Sequence, residues 1–206
     1  MNTKSIIKDA LILFAITLVA GLLLGTVYTV TLDARNEQAK KRELAAYEEV
    51  LTGGEHFTEI EFSQDDAVKV LEAKNITSDQ AVIDKVTLIQ DKNGSEVGYA
   101  ITVTDKEGYG GNITMIVGVK ADGTCGGVSI TSISETAGLG MKANTEEFKA
   151  QFKDVRTEAF VVEKNSQSGN GDNVIDALSG ATVTTNAVTN GVNAAIAMYE
   201  SLTEVE

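Results

Sequence analysis

Residues 176–188 read DALSGATVTTNAV, five small residues and three threonines at the mouth of a segment with helical periodicity. Ser179, Thr182, Thr184 and Thr185 crowd this helix entrance, while Gly180 and Ala181 leave it open to close approach. Two chemistries suit such residues. Hydroxyls accept the orphan N–H bonds of a first helical turn, which is capping. The same N–H groups, aided by the helix dipole, hold an anion, phosphate above all. The residues by themselves leave both readings open.

Two further loops carry more glycine than turns require. SETAGLGMKA (134–143) follows a strand-like run, with Gly138 and Gly140 flanking Leu139. It lacks the third glycine and the βαβ setting of a dinucleotide fingerprint, and no Walker A sequence is present. GYGGN (108–112) sets Tyr109 between glycines, where its ring either packs on a planar ligand or closes a hairpin. Each loop alone reads more readily as a plain turn than as a binding loop.

Other chemistries are poorly supplied. His56 is the sole histidine and Cys125 the sole cysteine, which excludes a zinc site of the usual type and an intramolecular disulfide. His56 follows Gly53, Gly54 and Glu55 in a linker-like stretch and makes a poor triad member. Cys125 precedes two glycines at a strand start and reads as a small buried apolar residue. A net charge of −13 argues against nucleic acid, whose phosphates demand a basic face.

The elements that must position these loops begin with an apolar run. Residues 10–32 hold 23 residues without a charge. As a helix they span about 34 Å, against a hydrocarbon core of ~30 Å. The run exceeds a signal-peptide core of about 7–15 residues, and no clear cleavage site follows. It reads as an uncleaved single transmembrane helix after a tail of residues 1–9. Lys4 and Lys8 precede it and Arg35, Lys40, Lys41 and Arg42 follow, so charge counting places the remaining chain on the cytoplasmic side. Residues 33–56 are strong helix formers ending at Gly53-Gly54, a helical stalk or linker.

From Phe57 to the end the pattern is that of one domain. FTEIEF alternates as a strand, and Ser63 stands where it would cap the short helix SQDDAVKVLEAK. AVIDKVTLIQ and EVGYAITVTD flank Asn93-Gly94; NITMIVGVKA and CGGVSITSIS flank Asp122-Gly123, both strong hairpin signals. Ile113, Met115, Val117 and Val119 share one strand face, so the sheet is expected to be antiparallel with one face covered. NTEEFKAQF, capped by Asn144 or Thr145, and a last helix from near Val183 complete the set. Val188, Val192, Ile196, Tyr199 and Leu202 form the buried stripe of that last helix. The class is α+β: a transmembrane helix and stalk, then a mostly antiparallel sheet flanked by helices.

DALSGAT (176–182) resembles the flavinylation motif of the FMN-binding domain family, in which an aspartate precedes Ser/Thr-Gly-Ala-Thr. ETAGLG resembles that family's second hallmark, Glu-Thr-Pro-Gly-Leu-Gly, with Ala137 in place of the proline, and GYGG resembles a recurrent family segment. Their order behind an N-terminal anchor is similar to the G subunit of the Rnf ion-translocating electron-transport complex, and less closely to the C subunit of the sodium-pumping NADH:quinone reductase. The resemblance implies that residues 57–206 form a covalent-FMN-binding domain outside the cytoplasm, against the charge count.

It further implies that Thr182 carries FMN through a phosphoester, made from FAD by a separate flavin transferase that recognises Asp176 and the Ser179–Gly180–Ala181 segment. Thr185 would share that site. Tyr109, Glu135, Thr136, Gly138, Leu139, Gly140 and Lys142 would lie along the flavin, Lys142 steadying a reduced anion. The chain would then be an electron-carrying subunit working with other membrane subunits, rather than an enzyme by itself. The competing outline is a non-redox, pilin-like surface protein, but MNTKSIIKDALI has neither a processing glycine nor a glutamate early in the apolar run.

Overall fold

The computed structural model describes residues 3–164 and 173–203. Helix α1 runs without a break over Thr3–Val50. It is long and apolar enough to cross a membrane. Its large apolar side chains from Ile6 to Val30 are exposed. The hydroxyls of Thr17, Thr26, Thr29 and Thr31 all bond back to carbonyls three or four residues earlier. These four threonines thus leave no unpaired hydroxyl donor on the helix surface. Residues 3–9 of the expected tail are already helical, and residues 1–2 lie outside the described residues.

The chain divides into two compact units, Met1–Glu43 and Leu44–Glu206. In the second, five antiparallel strands lie in chain order: β1 (His56–Ile60), β2 (Ala81–Gln90), β3 (Glu96–Asp105), β4 (Ile113–Lys120) and β5 (Cys125–Ser132). Helix α2 (Gln64–Ala73) connects β1 to β2. Ser63 stands at its N-cap position, where its carbonyl rather than its hydroxyl accepts the first helical bonds. The two predicted hairpins form at their Gly-containing turns, Gly94 at φ +79° and Gly123 at φ +84°. Cys125 opens β5 fully buried, and burial pushes its thiol up to about 12, a structural cysteine and no nucleophile.

One sheet face carries Ile83, Val86, Ile101, Val103, Ile113, Met115, Val117 and Val119. It packs with the last helix, which begins at Thr182 and runs to Thr203, through Val188, Val192 and Ile196. After β5 come a 3₁₀ turn (Gly140–Asn144), the short α3 (Glu146–Lys149) capped by Thr145, and a second 3₁₀ turn (Ala150–Phe152). A small parallel pair then follows, β6 (Val161–Glu163) and β7 (Val174–Asp176). Its three-residue strands are too short to show alternation, and the sequence did not disclose them. The last helix, α4 (Thr182–Thr203), closes the fold.

The other sheet face, expected to be open, is partly covered. Ala46, Tyr47, Val50 and Leu51 bury themselves against Ile89, Ala100 and Ile116. Tyr47 stacks on Phe57 with ring centroids 5.5 Å apart, and its hydroxyl meets Thr87 Oγ1 at 3.1 Å. Glu49 accepts from Ser129 Oγ at 2.5 Å and from Lys149 Nζ. Burial pulls the Lys149 ammonium down, but its bonds to Glu146 and Glu49 outweigh it and hold the pKa above the usual lysine range. The second compact unit begins at Leu44, and the end of the stalk supplies part of its core.

Gly126 is what admits the helix end. A Cβ there would stand 2.3 Å from the Val50 carbonyl oxygen and 3.0 Å from Leu51 Cδ2. Gly126→Ala is therefore expected to lower stability by about 1–3 kcal/mol, read as a fall in Tm. Protection of the Tyr47–Leu51 amides against hydrogen exchange should fall with it.

Candidate functional site

Helix α4 starts a few residues after β7 ends, joined to it by the hydroxyl-rich segment. The Thr185 N–H gives the first helical bond to the Ala181 carbonyl at 3.0 Å. Ala181, in the capping position, has no side-chain acceptor. Among the described residues no side chain accepts from the N–H of Thr182, Val183 or Thr184. Capping therefore does not account for the hydroxyls. A 22-residue helix opens here with free donors.

The segment itself is pinned from below. Thr185 is fully buried; its hydroxyl donates to the Ala181 carbonyl and accepts from the Leu178 N–H, each at 3.0 Å. Its donor and one acceptor position are used inside the protein, so Thr185 holds the turn from the core side. Gly180 takes φ +77° at the bend, a conformation unfavourable to other residues. Gln151 Oε1 accepts from the Asp176 N–H at 2.7 Å, and the Glu163 carbonyl accepts from the Ala177 N–H at 2.9 Å.

The loop at 135–140 comes to the same place. Its turn is closed by the Thr136 carbonyl, which accepts from the Leu139 and Met141 N–H groups at 3.1 and 3.2 Å. The turn closes in this way with Ala137 where the resembling family has proline. The loop at 108–112 meets it through Gly110, whose N–H donates to Glu135 Oε1 at 3.2 Å.

Together these three segments wall a cleft of about 640 Å³, lined by Tyr109, Glu135, Thr136, Leu139, Gly140, Gly180, Ala181, Thr182, Val183 and Thr184. Tyr109 is 76 % exposed, and Leu139 and Val183 are about half exposed, so a flat apolar ligand has surfaces to cover. The helix donors offer the opposite chemistry at the α4 end. The volume lies within the ~300–1,000 Å³ range of cofactor sites. A planar ring with a phosphate tail fits this division.

Other expected site residues fall elsewhere. Lys142, Asp176 and Ser179 line a neighbouring depression of about 510 Å³ with Thr145, Glu147 and Gln151. Gly138 lines neither hollow; it takes φ +79° at the exposed turn. Val183 was missed by the sequence reading; an exposed valine beside the first residue of a helix was its only signal. A larger hollow of about 820 Å³ around Asp122, Arg156, Glu158 and Tyr199 contains none of the residues singled out for the site.

Asp105 ends β3 just before the Tyr109 loop. It is fully buried, accepts from the Glu107 N–H at 2.8 Å through Oδ1, and leaves Oδ2 without a partner among the described residues. Desolvation raises its pKa to about 7. A carboxyl whose folded pKa lies above its unfolded value binds more protons when folded. Its effect is to lower stability as pH rises from about 4 to about 7. Asp105→Asn removes that slope. Relative to wild type, the variant should gain stability as pH rises across that interval, measured by denaturant midpoints on either side of it.

Comparison with known proteins agrees with this geometry. The FMN-binding domain family matches residues 108–197, which hold all three cleft segments, and the RnfG N-terminal region family matches residues 1–50. The chain is 31 % identical to the G subunit of the Na(+)-translocating ferredoxin:NAD(+) oxidoreductase complex of Acetobacterium woodii, over 99 % of this chain and 96 % of that one. It is 29 % identical to the G subunit of the ion-translocating oxidoreductase complex of Methanosarcina acetivorans, over 95 % of each. The crystal structure of the C subunit of the Na(+)-translocating NADH-quinone reductase from Parabacteroides distasonis superposes with a TM-score of 0.50 at 20 % identity, covering 75 % of this chain and 78 % of that one, which establishes the shared fold. The chain belongs to the G-subunit family of Rnf-type ion-translocating oxidoreductases and carries that family's FMN-binding domain.

Proposed function

We propose that this chain holds FMN in the cleft between Tyr109, Leu139 and the start of α4, bound by a phosphoester to Thr182 Oγ1, and carries electrons within a membrane-bound ion-translocating complex. The observation that supports it most is the position of Thr182. It is the first residue of α4, lines the cleft, makes no hydrogen bond through its hydroxyl among the described residues, and sits beside three unclaimed helix donors. A phosphodiester on that oxygen keeps one negative charge within reach of those donors.

Attachment follows from the same residues. The Thr182 hydroxyl oxygen bonds to the flavin-side phosphorus of FAD, the pyrophosphate bond breaks, AMP departs and the hydroxyl proton is released. A separate flavin transferase supplies this step, reading Asp176 and Ser179 from the neighbouring depression while Gly180 and Ala181 leave room beside Thr182. FMN, when bound, supplies one- and two-electron transfer; the protein supplies position and electrostatics. The residues of the cleft then work by holding it: Tyr109, Leu139 and Val183 cover the ring, and Thr136 closes the loop beneath.

The electron donor and acceptor are further subunits of the complex, in keeping with the names of the relatives, and the domain stands on the extracytoplasmic side of the membrane. The full-length chain, extracted from membranes of its own host and denatured, is expected to retain flavin fluorescence on a gel. Loss of all fluorescence on denaturation overturns covalent attachment.

A further inference from the structure

Glu135 is the one carboxylate among the described residues that line the cleft. Among the described residues no lysine or arginine lines it, and Lys142 opens onto the neighbouring depression. The Glu135 side chain is also the knot of the cleft. Oε1 accepts from the Gly110 N–H at 3.2 Å. The backbone of Gly110 lies so close that a Cβ there would stand 2.0 Å from the Ser134 carbonyl oxygen. On the other side, a Cβ on Gly140 would stand 2.6 Å from Glu135 Oε2 and 2.7 Å from Thr184 Oγ1. Gly110 thus gives way to the backbone just before Glu135, and Gly140 to the half-buried acid itself.

A half-buried carboxylate costs more to desolvate than an amide that could make the same bond to Gly110. Structure alone is served by glutamine. What the charge adds is a field: a negative group in a largely apolar cleft opposes the arrival of an electron on a neighbour. Resting on the flavin reading above, we propose that Glu135 holds the two embracing loops together and, through its charge, sets the reduction potential of the bound flavin at a low value.

The test uses the full-length chain made in a host with its own transferase, with flavin content fixed first by intact mass. Midpoint potentials are then measured by spectroelectrochemical titration. Glu135→Gln keeps the bond to Gly110 and should raise the potential, with a difference from wild type that shrinks as salt is added. Glu135→Asp keeps the charge and should keep the low potential. Glu147→Gln removes the same charge from the neighbouring depression and should leave the potential where it is. A flavin-loaded Glu135→Gln with the wild-type potential overturns the proposal, as does an equal shift in Glu135→Gln and Glu147→Gln. A wild-type chain that carries no flavin overturns the functional reading, and the role of Glu135 with it; the mass step separates that failure from the other two.

Discussion

Thr182→Ala yields a folded chain with no covalent flavin. The side chain is only half-buried and makes no hydrogen bond among the described residues, so its removal opens no cavity and strands no partner. Alanine is at least as good a helix former in the first turn. Stability should therefore stay within about 0.5 kcal/mol of wild type, and the far-ultraviolet spectrum should not change. Attachment requires one oxygen, and the variant lacks it. The expected readout is complete loss of the yellow chromophore from the denatured chain, with an unchanged melting curve for the protein free of flavin. Retention of the adduct in this variant places the bond on another residue.

Phe152→Ala acts through the opposite route and should be the most damaging single truncation for stability. Phe152 is fully buried, and its ring meets Phe148 at 5.7 Å and Phe160 at 5.1 Å between centroids, both edge to face. Truncation of such a ring costs about 3–5 kcal/mol, a large share of the ~5–15 kcal/mol that holds a domain together. The loss bears on function as well. Gln151, directly before Phe152, holds the Asp176 N–H and so fixes the segment that leads to Thr182. Chemical denaturation should show a lowered midpoint with little change in slope, and the fraction of chains carrying flavin should fall with it.

What the residues disclose and what they conceal follow from physical scale. The hairpins at Asn93-Gly94 and Asp122-Gly123 were legible because each turn type dictates its own residues. The buried stripe of α4 was legible because its apolar residues repeat at helical spacing over several turns. The docking of the stalk end was not. Ala46, Tyr47, Val50 and Leu51 sit in a run of strong helix formers, and their partner surface is marked by Gly126, a residue without a side chain. Its signal is an absence distributed over distant strands.

The site divides in the same way. Motif spacing brought Thr182, Gly180, Leu139 and Gly140 to one cleft, since short loops carry neighbours in sequence to neighbours in space. Side is another matter. Thr185 lies three residues after Thr182, yet it is buried in the core, its hydroxyl donating to the Ala181 carbonyl and accepting from the Leu178 N–H. Lys142 lies two residues after Gly140, yet the 3₁₀ turn between them carries it to the neighbouring depression. Motif membership therefore does not by itself place a residue on the cleft wall.

The proposed bond between Thr182 and the flavin is tested most directly by the intact mass of the full-length chain, extracted from membranes of its own host and denatured. Mapping of the peptide that spans residues 179–199 then locates any adduct. The expected result is a gain of one FMN less one water, located on Thr182. An unmodified mass, or the same gain on another residue, contradicts it.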